Sequence, residues 1–326
     1  MLITRTPLRI SLGGGGTDLA SYYEERGGFV LSAAIDKYVF IGMNRTFGDD
    51  YQIKYSAMEQ VGTIEAIEHP LVRECLSTNG VAPGVEIVSM ADIPAGTGLG
   101  SSGTFTVGLL QAIHAFHREH ATAAALAEEA CHVEIDLLGN SVGKQDQYIA
   151  AFGGITCFDF HPDGSVDATP LAISKDAVYE LEDRLLMFFT GYSRQAAEVL
   201  GDQKRRSEAR DPEMLDNLDA VKALGLEVKL ALEQDDTRRF GELMHEHWLT
   251  KRRRSQGMSN GEIDRWYEVA LANGALGGKL VGAGGGGFLL FYAEDRRALR
   301  AAMAGEGLAE VRFRFEHEGS KLIVND

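Results

Sequence analysis

A chain of 326 residues is too long for most single cores and suits two domains sharing an interface. With 44% hydrophobic and 25% charged residues it has the make-up of a soluble globular enzyme, and a net charge of -16 argues against a nucleic-acid binder. Any anionic substrate would therefore need a local cluster of positive charge.

The predicted elements begin with an alternation from Thr4 to Leu12. Leu8, Ile10 and Leu12 share one strand face, Arg9 and Ser11 the other. Gly13 to Gly16 follow, then Thr17 and Asp18. Further strands are expected near Phe29 to Asn44 and over Gly84 to Ala91. After a glycine-rich turn, Leu109, Ile113 and Phe116 repeat on one face of a helix from about Ser102 to His120. Thr122 is expected to cap a helix ending near Gly139, and Gly143 to start the next, which carries Asp146. Ile155 to Phe160 reads as a strand and Pro162–Gly164 as its turn. In the second half, Leu185 to Thr190 is a short buried strand, and charged helices run from about Arg194 to Gly274. Lys279 to Tyr292 reads as strand, glycine turn, strand. The tail holds Glu310 to Glu316, a turn around Gly319, and Lys321 to Val324. This alternation predicts an α+β protein with a boundary near residues 170–180, giving domains 1–174 and 175–326.

Three cysteines, Cys75, Cys131 and Cys157, without zinc spacing suggest a reducing, cytoplasmic setting. The N-terminus runs straight into strand-like sequence, so no signal peptide is expected. No apolar run approaches the ~20 residues that span a membrane.

The segment Pro94-Ala95-Gly96-Thr97-Gly98-Leu99-Gly100-Ser101-Ser102-Gly103 lies between a strand and a helix. Glycines let several N–H groups turn into one concavity, and the helix start adds partial positive charge, so the stretch from Pro94 to Gly103 is a candidate anion cradle. Ser102 can offer its hydroxyl to Mg²⁺. No Lys-Ser/Thr pair follows the last glycine, which excludes a Walker A loop, and no suitably placed acid follows for a dinucleotide fingerprint. A purely structural turn is the alternative.

This string resembles the second motif of the GHMP kinases, the family of galactokinase, homoserine kinase, mevalonate kinase and phosphomevalonate kinase. Pro7 to Leu12 with Gly13 to Asp18 resembles the first motif, and Lys279 to Ala283 with Gly284 to Gly287 the third. The resemblance implies a GHMP kinase fold, with an N-terminal domain like ribosomal protein S5 domain 2 and a ferredoxin-like C-terminal domain. It also implies ATP and Mg²⁺. Asp146, in Gly143-Lys144-Gln145-Asp146-Gln147, resembles the Gly-x-x-Asp-Gln element of galactokinase and would accept the hydroxyl proton. The plainer reading is an acid favoured by the helix dipole. Glu134, twelve residues earlier, matches a Mg²⁺ ligand of that pattern, although Glu128, Glu129 and Asp136 also suit a solvated acidic face. Arg9 would offset charge developing on the phosphoryl group, or merely form a salt bridge.

Gly15-Gly16 stands where galactokinase carries Glu-His, and Gly-Gly-Gly-Thr-Asp instead resembles the D-glycero-D-manno-heptose 7-phosphate kinases and, more distantly, bacterial fucokinase domains. The resemblance gives Asp18 a sugar contact. It puts Gly15 and Gly16 at the substrate, and it packs the Gly284 to Gly287 turn near the second motif, where the backbone at Gly284 and Gly285 would approach substrate or nucleotide; a purely structural tight turn is the alternative. His247-Trp248 before Lys251-Arg252, and Thr190-Gly191-Tyr192-Ser193-Arg194, extend the resemblance. Lys251 and Arg252, in the densest basic cluster of an acidic chain, are expected to bind the sugar phosphate, with Arg194 a further candidate. His245 and His247, at i and i+2, share no helix face and make no zinc pair. The implied reaction moves a phosphoryl group from ATP to the anomeric hydroxyl of heptose 7-phosphate. Another sugar-1-kinase, fucokinase- or galactokinase-like, or a catalytically silent sugar sensor are the alternatives. The expected partner is a small sugar or sugar phosphate, with no nucleic acid and no membrane.

Overall fold

The first strand, β1 (Leu2–Gly13), buries Leu8, Ile10 and Leu12 completely, at about 1.5–3 kcal/mol per large apolar side chain. A slip of one residue would drive Arg9 and Ser11 into that core, so the same alternation that builds the strand aims those two polar side chains the other way. The computed structural model describes residues 1–191 and 196–326; Tyr192, Ser193 and Arg194 lie outside the described residues.

In chain order β1 is followed by α1 (Ala20–Arg26), β2 (Gly28–Arg45), β3 (Tyr51–Lys54), β4 (Met58–Val61), α2 (Pro70–Thr78), β5 (Val85–Ala91), α3 (Ser101–His117) and α4 (Ala123–Cys131). Thr122 caps α4 by accepting from the Ala125 N–H, and α4 runs on into a π-helical segment, His132–Leu137. Next come α5 (Gln145–Phe152), β6 (Ile155–Phe160), β7 (Val166–Pro170), α6 (Lys175–Arg184), β8 (Leu185–Gly191), α7 (Ala196–Glu208), α8 (Pro212–Glu233) and α9 (Thr237–Arg252). The chain closes with α10 (Gly261–Ala272), β9 (Ala275–Leu280), β10 (Gly287–Ala293), α11 (Arg296–Gly305), β11 (Ala309–Glu310) and β12 (Lys321–Asn325). Side-chain caps start the helices of the second half: Ser174 for α6, Asp211 for α8, Asp236 for α9, Asn260 for α10 and Asp295 for α11.

Two sheets organise these elements. The larger has the order β12-β1-β2-β5-β3-β4. The 18-residue β2 serves two partners on one edge, Gly28–Ala33 pairing with β6 and Val39–Arg45 with β5. The smaller sheet has the order β11-β8-β10-β9 and is antiparallel throughout. Numbered within itself that order is 4-1-3-2, the ferredoxin-like arrangement. The fold is α+β, as its alternation predicts.

The tail differs from expectation. Instead of a strand through Glu316, only Ala309–Glu310 joins the smaller sheet, and Lys321–Asn325 crosses back to pair with β1. A single cut near residues 170–180 therefore leaves one strand on the wrong side. Among the described residues no helix is long and apolar enough to cross a membrane. The three cysteines are buried and unbridged.

Candidate active site

Helix α3 lies against β1 so closely that a Cβ on Gly108 would meet the Thr6 hydroxyl at 2.7 Å, and Thr4 donates to the Gly108 carbonyl at 2.9 Å. This contact sets the start of α3 beside Arg9. The loop before the helix puts Gly96, Gly98 and Gly100 at φ of 79°, 84° and 78°. Left-handed residues at alternate positions turn successive N–H groups inward, a conformation that only glycine adopts without strain. Gly100 caps α3 with no side-chain acceptor, so the first N–H groups of the 17-residue helix have no helical partner. The result is a nest joined to a helix N-terminus, both suited to an anion.

Arg9 ties this loop to the start of α5. Its Nη2 and Nε stand 2.7 and 2.8 Å from Asp146 Oδ1, its Nη1 donates to the Gly98 carbonyl at 2.6 Å, and its backbone N–H donates to the Leu99 carbonyl at 3.1 Å. Both side-chain bonds to Asp146 use Oδ1, which leaves Oδ2 able to accept a proton. Asp146 and Ser102 come together because Gly103 has no side chain: a Cβ there would sit 2.8 Å from the Asp146 Cβ.

Glu134 sits on the π-helical segment behind Ser102 and is fully buried. Its Oε1 accepts from Gln147 Nε2 at 2.8 Å, while Oε2 accepts no hydrogen bond. Burial pushes its pKa up to about 7; Gln147 and the nearby hydroxyls of Ser102 and Thr106 favour the ionised form, and the Asp146 charge adds to the rise. An orphaned carboxylate oxygen next to a hydroxyl is a donor pair that suits a hard, oxygen-seeking dication, so the residues present fit Mg²⁺. A π-bulge is a frequent carrier of such functional side chains.

Arg9, Asp146, Ser102 and the loop glycines border a cavity of about 990 Å³ between the sheets, room for a nucleotide and a second small molecule, while Glu134 lies behind Ser102 and is not part of the wall. Pro94, Gly96, Gly98, Gly100, Ser101 and Ser102 form part of its wall, as do Arg9, Asp146, Gly15, Gly16, Asp18 and Lys251. Asp18 accepts from the backbone N–H groups of Gly16 and Gln145 at 3.0 and 3.1 Å. Burial raises its pKa against those bonds.

Other expected residues fall elsewhere. Leu99 is a core side chain. Gly103 packs on Asp146, so its role is spacing. Gly284 and Gly285 turn against Met258, with Gly285 N–H donating to the Met258 carbonyl at 3.2 Å; Gly282 and Ala283 line the cavity in their place. Arg252 is also corrected. Its guanidinium pairs with Asp264 at 3.1 Å outside the cavity, while Arg254, just past the end of α9, faces inward and donates to the Gly15 carbonyl and to Gln203. Burial lowers the Arg254 pKa to about 10, opposed by Asp18. His245 bonds to the Tyr267 hydroxyl at 2.8 Å, apart from His247 in the cavity wall.

Sequence reasoning missed several lining residues. At one end Tyr55, His69 and Phe105 form an aromatic cluster, with ring centroids 4.7 Å apart edge-on and 5.1 Å apart stacked. Val39, Leu71 and Ile93 complete this apolar end. No local pattern announces it, because its members come from five segments. Lys279 and Ser11 also line the cavity. Ser11 was legible in principle, since it shares the Arg9 face of β1.

Residues 63–154 match the family described as GHMP kinases N terminal domain, and residues 228–307 the one described as GHMP kinases C terminal. The D-glycero-alpha-D-manno-heptose 7-phosphate kinase of Campylobacter jejuni is 29% identical over 98% of this chain and 97% of its own. A mevalonate kinase of Archaeoglobus fulgidus is 32% identical over 69% of this chain and 73% of its own. A solved structure described as a D-glycero-D-manno-heptose 1-phosphate kinase from Bacteriodes thetaiotaomicron superposes with a TM-score of 0.79 at 26% identity, covering 99% of each chain.

Proposed function

The chain belongs to the GHMP kinases, and from that premise we propose that it transfers the γ-phosphoryl group of ATP to the anomeric hydroxyl of D-glycero-D-manno-heptose 7-phosphate, giving the 1,7-bisphosphate. The observation that carries the reading is the junction of Arg9, Asp146 and the glycine loop at the start of α3, with room for a second molecule on the far side of Asp146. The likeness to the C. jejuni enzyme over nearly the whole of both chains supports the substrate.

ATP lies with its base in the apolar end made by Tyr55, His69 and Phe105 and its phosphates on the loop amides. Ser102 and Glu134 would hold Mg²⁺, which would supply charge neutralisation to the phosphate groups when bound. The acceptor lies against the Gly15–Gly16 backbone and Asp18, with Lys251 toward its phosphate. Asp146 Oδ2 takes the proton of the attacking hydroxyl. Arg9 holds that carboxylate in place and offsets charge on the moving phosphoryl group. The test is a screen of sugars and sugar phosphates with ATP-Mg, repeated with Asp146→Asn. We expect turnover with the heptose 7-phosphate and a loss of ~10²–10⁴ in the variant. Near wild-type turnover in Asp146→Asn would remove the base.

A second reading is kept by one observation: the two heptose kinases carry names that differ in where the acceptor's phosphate stands. The screen therefore includes the heptose with phosphate at either end and without it.

A further inference from the structure

At the acceptor end of the cavity, hydrogen-bond donors accumulate without acceptors to match. Lys279 on β9 is 1% exposed, and the bond found for its ammonium goes to the Leu12 carbonyl at 3.3 Å. Lys251 on α9 is 7% exposed and donates to the carbonyls of Leu280 and Gly282. One helical turn before Lys251, on the same face, His247 is 1% exposed, and neither ring nitrogen has a partner. The buried Ser11 hydroxyl on β1 has none either. All four line the cavity.

Two buried ammoniums in one cavity repel each other and are poorly compensated by backbone carbonyls. The charges acting on Lys279 are those of Arg9 and Arg254, and on Lys251 those of Lys279, Arg254 and Arg9, all of their own sign. Such a group of donors is costly to keep empty and well matched to a compact dianion. We propose that Lys251 and Lys279, with the imidazole of His247 and the hydroxyl of Ser11, form the seat for the phosphate that the acceptor sugar carries into the reaction, and that Lys279 decides between a phosphorylated sugar and a plain one. This rests on the sugar-phosphate reading above.

Position favours the acceptor over ATP. A Cβ on Gly15 would stand 3.1 Å from the Ser11 hydroxyl, so the Ser11 side of the seat opens beside the Gly13–Asp18 turn. Burial, then the positive charges of Arg9 and Arg254, lower the Lys279 pKa to about 7. His247 is likewise held well below its usual value by burial and by Lys279, Lys251 and Arg254. A phosphate whose second pKa is ~6 would restore the lysine proton on binding. Affinity for the phosphorylated sugar should therefore peak near neutral pH and fall as the pH climbs, while affinity for the plain sugar stays flat.

The experiment is titration calorimetry of heptose 7-phosphate and of the unphosphorylated heptose, without ATP, on wild type, Lys279→Met, Lys279→Arg and Lys251→Met. Each Met variant should weaken binding of the phosphorylated sugar roughly ten- to hundredfold, leaving the plain sugar and ATP within about twofold. Lys279→Arg should keep the preference and flatten its decline above neutral pH, because a guanidinium stays charged while Lys251, whose pKa burial and the same positive charges also lower, still titrates. Wild type, titrated at pH 8 in two buffers of different ionisation heat, should take up a proton with the phosphorylated sugar only. Unchanged binding in both Met variants, an effect on ATP instead, or no proton uptake by wild type overturns the seat. Failure of the substrate reading is distinct: wild type would then bind the phosphorylated sugar through these lysines yet not turn it over.

Discussion

Replacing Gly103 with alanine isolates the geometry of the site from its chemistry. The new Cβ would meet the Asp146 Cβ at 2.8 Å, the Asp146 carbonyl carbon at 3.0 Å and the Gln147 nitrogen at 3.0 Å. Non-bonded carbons settle at about 3.5–4.0 Å, so the start of α5 must retreat by roughly 1 Å from α3. Two of the three atoms met are backbone, and no rotamer change relieves them. Overpacking of this kind costs about 1–3 kcal/mol, and alanine returns up to about 1 kcal/mol of helix propensity, leaving a net loss of ~0–2 kcal/mol in a protein that stays folded. A displacement of 1 Å at the reacting group costs about 10²-fold in rate. We therefore expect Gly103→Ala to lower kcat roughly a hundredfold while its melting temperature falls by only a few degrees and its affinity for ATP holds. Steady-state kinetics, thermal unfolding and nucleotide titration measure the three quantities. A kcat within threefold of wild type would refute the idea that this contact positions Asp146.

Ser102→Ala and Glu134→Gln should each raise the Mg²⁺ concentration needed for half-maximal rate, since each removes an oxygen donor or its charge; identical Mg²⁺ titrations would reject the pair as ligands. Arg252→Ala should leave the KM for the sugar phosphate within about twofold and cost ~0–1 kcal/mol of stability, because its bond to Asp264 is a surface pair; kinetics beside Lys251→Ala decide this. Phe105→Ala should raise the KM for ATP several-fold, with little change for the sugar, by removing a wall of the base pocket.

What was legible in the sequence follows from how local its cause is. Ile155 to Phe160 is a strand at the bounds expected, because its apolar run ends at a Pro-Asp-Gly turn. Strands β3 and β4 were invisible: four residues each, one with an exposed Met58, give no period to count. Helices α6 and α11 were overlooked although Ser174 and Asp295 cap them. The turn of the glycine loop and the place of Asp146 in a first helical turn were legible because backbone conformation and a helix start are local properties. The basic cluster was not, since Lys251 to Arg254 straddles the end of α9. Arg252 faces Asp264 and Arg254 faces the cavity for a reason no composition holds, namely where that helix stops.

The return of Lys321–Asn325 to β1 also has a consequence for how the molecule is made. β12 pairs with Leu2 to Arg5, the outer part of the strand that carries Arg9. The partner segment emerges from the ribosome roughly 300 residues after β1, about 15–60 s at ordinary synthesis rates. Until then β1 can pair with β2 along its inner side, but its outer edge presents unpaired N–H and C=O groups to any other extended chain. A charge on such an edge discourages that pairing. Arg5 is that charge, and once the tail has docked it pairs with Glu316 and Glu318.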